Sequence, residues 1–304
     1  MPDLVANALL QGATYGIAVL GLAFAFRILR YPDLTADGSF MTGATVFASG
    51  VVSGWSWPAA LAVAVGAGAA AGMLTALLNA WLHVSRLLTG ILVTMICYSL
   101  AFRYLGGQSN IGLTGAETMF ATSGGVARTP YLPAIAGLFA MGSMLLVRLL
   151  LGSELGLMLR ATGGNAALVE EFGRSPAAYR VIGLALANGL IALSGALVAG
   201  QQGFADVNMG AGTIITLVAS LIIGEEILRL TSRGRIGLVE RVLAPFAGAI
   251  VYFALYIAVL RASLDDFLPV RIEPTDLKML SALIVILVIA LRMRGGRQEE
   301  VLPL

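Results

Sequence analysis

The chain has 304 residues, of which 58% are hydrophobic and only 12% charged, with a formal net charge of +2 and a mean hydropathy of +0.90. A soluble domain carries roughly a quarter charged residues, so this composition excludes one; 58% of 304 is about 176 apolar residues, enough for eight or nine spans of about 20 residues. The near-balanced charge gives no basic footprint for nucleic acid, the single Cys97 excludes an intrachain disulfide, and the single His83 excludes a multi-histidine metal site.

Taken in chain order, apolar runs of spanning or near-spanning length occur at 4–26, 38–54, 58–82, 87–106, 132–152, 181–199, 211–228, 242–260 and 276–291. The start, Met-Pro-Asp, lacks a basic region, so the first run reads as a span and not as a signal peptide. The pattern predicts an all-α polytopic membrane protein of about nine transmembrane helices forming one domain, 1–304. Of its 19 basic residues all but Lys278 are arginine. Thirteen fall in the connections 27–37, 83–86, 153–180 and 229–241 and in the C-terminal tail, against three in the alternate connections. By the positive-inside rule the richer set is cytoplasmic, which puts the N-terminus outside and the C-terminus inside. Trp55 and Trp57 then lie at the outer interface and Trp81 at the inner one, while Arg103 and Arg148 sit near span ends, where they can snorkel. The small residues of 66–72, with Gly68 and Gly72 at GxxxG spacing, suit close approach of another helix, whose identity the spacing leaves open.

Several chemistries are excluded. No glycine-rich phosphate loop ending in Lys-Ser or Lys-Thr exists, so the chain cannot be a Walker-type ATPase by itself. Lys278 lies at a span edge, not inside a span where a retinal Schiff base would need it, and no His-Glu-x-x-His motif occurs. No catalytic or metal site is expected. A channel, an ion-coupled secondary transporter or a transport subunit driven by a partner remains. Ionisable groups are sparse within the spans; Glu225 and Glu226 lie near the inner end of the seventh run, either facing cytoplasmic water or serving a structural or gating role.

Two polar interruptions stand out: Tyr31-Pro-Asp-Leu-Thr-Ala-Asp-Gly-Ser-Phe40 and Gln201-Gln-Gly-Phe-Ala-Asp-Val-Asn-Met-Gly210. Each precedes a span; Pro32 halts the first helix, and Thr35 or Asp37 is placed to cap the second. One interruption is expected inside and the other outside. The first four and last four spans start on opposite sides of the membrane, the pattern of inverted four-helix repeats, about 4–106 and 181–291. Interrupted segments at matching positions point to a transport pathway, with Asp33, Thr35, Asp37, Asp206 and Asn208 as its candidate residues. In the cytoplasmic loop 153–180, Asn165 is placed to cap a short helix, 166–172, that ends at Gly173. Leu168 and Phe172 share one face of it, suited to a partner's groove or to the membrane surface.

The run Arg160-Ala-Thr-Gly-Gly-Asn165, followed by Glu-Phe-Gly173, resembles the ATPase-docking loop of ABC importer permeases of the branched-chain amino acid and ribose type. Pro32–Ser39 with Gly43-Ala44 resembles the same superfamily, and Pro32–Phe40 together with Gln202–Gly210 is similar to the tryptophan/tyrosine transport permease group. The resemblance covers roughly 4–291. It implies a fold like the cobalamin importer permease without its first helix. It implies docking through Arg160, Asn165, Leu168, Phe172 and Gly173, and a short helix near Ala116–Thr122 at an outer gate. It further implies a separate ABC ATPase subunit that binds ATP and Mg, an extracytoplasmic substrate-binding protein, and a bacterial-type plasma membrane. One docking helix per chain against an ATPase dimer predicts a homodimer. The cargo expected is a small polar solute, an amino acid or a related compound; an ion-coupled carrier is the alternative.

Overall fold

The structure, a computed structural model, describes residues 2–120, 131–231, 238–264, 279, 282, 283 and 286. The helices are α1 (Pro2–Ala23), running on into a π-helical turn at Phe24–Ile28, α2 (Ala36–Val52), α3 (Trp57–Leu82), α4 (Arg86–Tyr104), α5 (Leu132–Gly152), α6 (Glu154–Gly164), α7 (Ala166–Glu171), α8 (Pro176–Gln202), α9 (Thr213–Thr231) and α10 (Leu238–Leu264). Two short strands, β1 (Asn110–Gly112) and β2 (Phe204–Asp206), pair antiparallel with Ile111 opposite Ala205. Local chemistry sets the ends. Pro58, Pro133 and Pro176 stand in the first turns of α3, α5 and α8, where a missing N–H costs nothing. Ser85 accepts the Leu88 N–H at 3.3 Å to cap α4.

Among the described residues, six helical stretches are long and apolar enough to cross a membrane: Val5–Ile28, Trp57–Leu82, Arg86–Tyr104, Leu132–Gly152, Pro176–Gln202 and Arg241–Val259. The expected runs 38–54 and 211–228 are helical but do not qualify. α2 has only 17 residues, and α9 carries Glu225, Glu226 and Arg229 in its last two turns. The expected ninth span, with Lys278, falls almost wholly outside the described residues. The expected helix at 116–122 is corrected over its described part: 116–120 is not helical but irregular, with a bridge at Thr118 and a turn at 119–120, the Ala116 N–H on the Leu113 carbonyl and the Phe120 ring buried in the core.

α8 is the central element, with α1, α2 and α3 packed on it. Gly68 and Gly72 make the α3 contact: a Cβ on Gly68 would collide with Ala192, and one on Gly72 with the Leu184 carbonyl and Asn188. The tight packing expected of this small-residue pair therefore occurs, and its partner is α8. Gly43 of α2 and Gly195 of α8 approach the facing backbone in the same way, at the carbonyls of Ala192 and Phe40. In lipid, where apolar surface gains little by leaving its surroundings, such backbone proximity is what holds helices together. The outward faces of α4 and α5 remain apolar and exposed, as at Met95, Leu138 and Leu149.

The same contacts set heights. Ser39 bonds to Asn188, the thirteenth of the 27 residues of α8, and Gly38 lies against Thr94, the ninth of the 19 residues of α4. Both neighbours stand near the middle of their helices, so α2 starts about halfway up the bundle. A Cβ on Gly72 meets carbonyl oxygen and Asn188, whereas one on exposed Gly66 meets nothing within 4 Å. Gly72→Ala is therefore expected to destabilise by about 1–3 kcal/mol through overpacking, with Gly66→Ala neutral, as read by unfolding midpoints in micelles.

Candidate functional site

Around the start of α2 lies a buried polar network. Asp33 is 1% exposed, and Thr35, Ser39, Thr75 and Asn188 are fully buried. The Thr35 N–H donates to Asp33 Oδ1 at 2.8 Å, and Asn188 Nδ2 donates to Asp33 Oδ2 at 2.6 Å. Ser39 Oγ donates to Asn188 Oδ1 at 2.6 Å. Thr35 and Thr75 share a hydroxyl hydrogen bond at 2.7 Å; because Thr75 also donates to the Ala71 carbonyl at 3.1 Å, Thr35 is the donor between them. Asp33 thus uses both carboxylate oxygens, and no cation among the described residues pairs with it. Thr35 precedes α2 but makes no side-chain cap, a correction to its expected role. Its hydroxyl is drawn to α3, and Asp33 takes up the free backbone N–H instead.

Asp37 does not cap its own helix either. Its carboxylate reaches across to the start of α9, where it accepts the Gly212 N–H at 3.1 Å and the Ile214 N–H at 2.7 Å. A Cβ on Gly210 would strike the Asp37 carbonyl. The two interruptions, expected on opposite faces, therefore meet near mid-height. One carboxylate stands at two helix N-termini, where the helix dipoles favour negative charge. Asp206 and Asn208 lie apart from Asp33 and Thr35: Asp206 ends β2, its Oδ1 accepts the Asn208 N–H at 2.6 Å, and Asn208 is exposed. The structure brings Asp33 and Thr35 into one cluster and Asp37 onto the second interruption, and leaves Asp206 in the strand pair with β1 and Asn208 in the turn that follows it.

At the end of the bundle where α1 finishes, Arg27 grips Glu225 of α9 with a two-pronged ion pair, Nε to Oε1 at 2.5 Å and a terminal nitrogen to Oε2 at 2.6 Å. Glu226 pairs with Arg229 one turn along the same helix. The 153–180 connection is ordered as α6 and α7. Asn165 Oδ1 accepts the Ala167 N–H at 3.2 Å and caps α7. Gly173, at φ +68°, closes it in the left-handed conformation that favours glycine, and Arg174 N–H returns to the Val169 carbonyl. Val169 is buried beneath α7, while Leu168 and Phe172 are 42% and 66% exposed. Arg160 is separate from that face: it lines a cavity with Arg27, Glu225 and Arg241.

Sequence reasoning missed Asn188 and the Arg27–Glu225 tie. Asn188 had a signal, being the only amide in the otherwise apolar run 181–199. Arg27 read as one more positive-inside residue. Asp37→Ala is expected to strip the Gly212 and Ile214 N–H groups of their acceptor and cost about 1–2 kcal/mol, the scale of a lost helix cap. Asn208→Ala, at an exposed side chain, is expected within about 0.5 kcal/mol of the parent. Denaturant unfolding of the purified variants compares the two, and equal losses would refute the assignment of Asp37.

The comparisons with known proteins bear on this arrangement. A family model described as "Branched-chain amino acid transport system / permease component" matches residues 4–291. The chain is similar to a "Tyrosine transport system permease protein" of Clostridioides difficile (strain R20291), 33% identical over 94% of this chain and 90% of that protein. It is also similar to an uncharacterized protein of Rickettsia prowazekii (strain Madrid E), 31% identical over 93% of this chain and 95% of that one. No solved structure gives a significant match. With six membrane-length apolar helices among the described residues, this is a multi-pass membrane protein and a transport component, not an enzyme, and the chain belongs to the branched-chain amino acid transport system permease family.

Proposed function

We propose that this chain is the membrane subunit of an ATP-driven importer for an amino-acid-like solute. The observation that carries the reading is α7: a one-and-a-half-turn helix, capped by Asn165 and closed by Gly173, that holds Leu168 and Phe172 out of the core. An exposed apolar pair on a short, firmly ended helix suits insertion into a groove of a partner, and family membership makes an ABC ATPase the natural partner. Asn165 and Gly173 shape the helix, and Leu168 and Phe172 make the contact. ATP and Mg belong to that ATPase; this chain contributes no nucleotide site.

The finer features belong to the same proposal. Two copies would pair, because each supplies one docking helix to an ATPase dimer. The arginine-rich connections would face the cytoplasm of a bacterial-type cell, with the N-terminus outside and the C-terminus inside. The inverted repeats 4–106 and 181–291 find support in two helices, α2 and α9, that each start after a break near mid-height. A binding protein would deliver the solute from outside, past Asp206 and Asn208, toward the region of Asp33, Thr35 and Asp37. The name of the Clostridioides difficile relative extends the proposed cargo to tyrosine or a similar aromatic amino acid. The rival reading, an ion-coupled carrier, draws on Asp33, a buried carboxylate near mid-height. Against it, both oxygens of Asp33 are already held by Thr35 and Asn188.

Leu168→Asp and Phe172→Asp are each expected to reduce copurification with the ATPase subunit several-fold while leaving the unfolding midpoint of the permease unchanged. Undiminished copurification would remove α7 as the docking element. In vesicles containing the permease without any ATPase, imposed proton or sodium gradients are expected to drive no uptake of tyrosine; gradient-driven uptake would favour the rival.

A further inference from the structure

The cavity beside the Arg27–Glu225 pair points to a ligand. It has a volume of about 100 Å³ and lies where the ends of α1, α5, α6, α9 and α10 converge. A water molecule in the liquid occupies about 30 Å³, so the space admits a tetrahedral oxyanion. Its walls are largely apolar, with Phe24 and Leu151 among them, yet they carry three guanidinium groups, on Arg27, Arg160 and Arg241, against one carboxylate, on Glu225. Glu225 is already engaged: both its oxygens are held by Arg27. Arg160 is the anomaly. Its Nε is buried and meets no hydrogen-bond acceptor. A buried charged donor is ordinarily paired, because its lost hydration has to be replaced.

We propose that this cavity binds a phosphate group, with the Arg160 guanidinium as its anchor. The planar fork of arginine matches two phosphate oxygens at once, which a point-charge ammonium cannot do. Arg241 lines the same space. The phosphate can come from an anionic lipid headgroup or from a free phosphate ion. The apolar walls favour the lipid, whose first carbons would lie along Phe24 and Leu151 while its phosphate faces Arg160. Two packing contacts tie Arg160 to the rest of the bundle. A Cβ on Gly163, three residues along α6, would strike the Ile28 carbonyl at the end of α1, and the Gly183 side of α8 packs on Leu159. A bound phosphate would therefore brace α6 against α1 and α8. The proposal does not depend on the direction or cargo of transport.

The test uses the full-length protein, delipidated in detergent and titrated separately with phosphatidylglycerol, phosphatidylcholine and inorganic phosphate. Thermal unfolding and native mass spectrometry are the readouts. The wild type is expected to be stabilised by phosphatidylglycerol and to retain it in preference to phosphatidylcholine. Arg160→Gln is expected to weaken that binding at least about tenfold, the scale of a lost charge-assisted hydrogen bond, and Arg174→Gln, at an exposed arginine, to leave it unchanged. Stabilisation by inorganic phosphate alone would also support the site and would identify the free ion as its ligand. Should Arg160→Gln fail to fold, Arg160→Lys, which keeps the charge and loses the fork, replaces it, and wild-type lipid retention is read independently of either variant. Equal retention of the two lipids with no response to inorganic phosphate would overturn the proposal, as would wild-type affinity in a folded Arg160 variant.

Discussion

A helix that starts inside a membrane protein leaves backbone N–H groups where water is scarce, and acceptors within the chain satisfy them best. This constraint governs the middle of the bundle. α2 and α9 both begin there, and two aspartates answer for them. Asp33 takes the N–H of Thr35 just before α2, and Asp37 takes those of Gly212 and Ile214 at the start of α9. The carboxylates need compensation of their own, which the helix N-termini and the Asn188 amide supply.

Around that polar centre the packing is made by what is missing. Glycines on α3, α2 and α8 let backbones come within reach of one another's carbonyls. Close approach in turn brings Ser39, Thr75 and Asn188 near enough to bond across helices. Small residues and buried hydrogen bonds are thus one device here, since neither would work at the spacing that larger side chains impose. The Arg27–Glu225 pair repeats the principle at the bundle end, joining the π-helical turn after α1 to α9 with two hydrogen bonds.

The centre and the periphery are held differently. In the interior, Ser39 ties α2 to Asn188 of α8, and Asp37 ties α2 to the start of α9. α7 sits outside this core, held by its cap, its closing glycine and one buried valine, with its apolar pair turned out. α6 connects α7 to the turn that ends α1, where a Cβ on Gly163 would strike the Ile28 carbonyl.

Much of this was legible in the residues. Composition alone identified the membrane, since no soluble core can hide so many apolar side chains. The α7 helix was readable from Asn165 and Gly173, and the close-packing stripe from Gly68 and Gly72, because caps and small-residue spacing act within a turn or two of chain. The length of α2 and the charges of α9 were visible too, yet nothing local said that both begin halfway up, or that Thr35 would turn to α3 instead of capping. Those outcomes rest on bonds between residues 155 and 177 positions apart, Asn188 to Asp33 and Ile214 to Asp37. The inward turn of Arg160 is of the same kind. The sequence by itself determined that the long apolar runs are helices and that the chain breaks at 31–40 and 201–210; only the tertiary structure decided which break satisfies which, because a buried donor bonds to whichever acceptor the packing brings within about three ångströms.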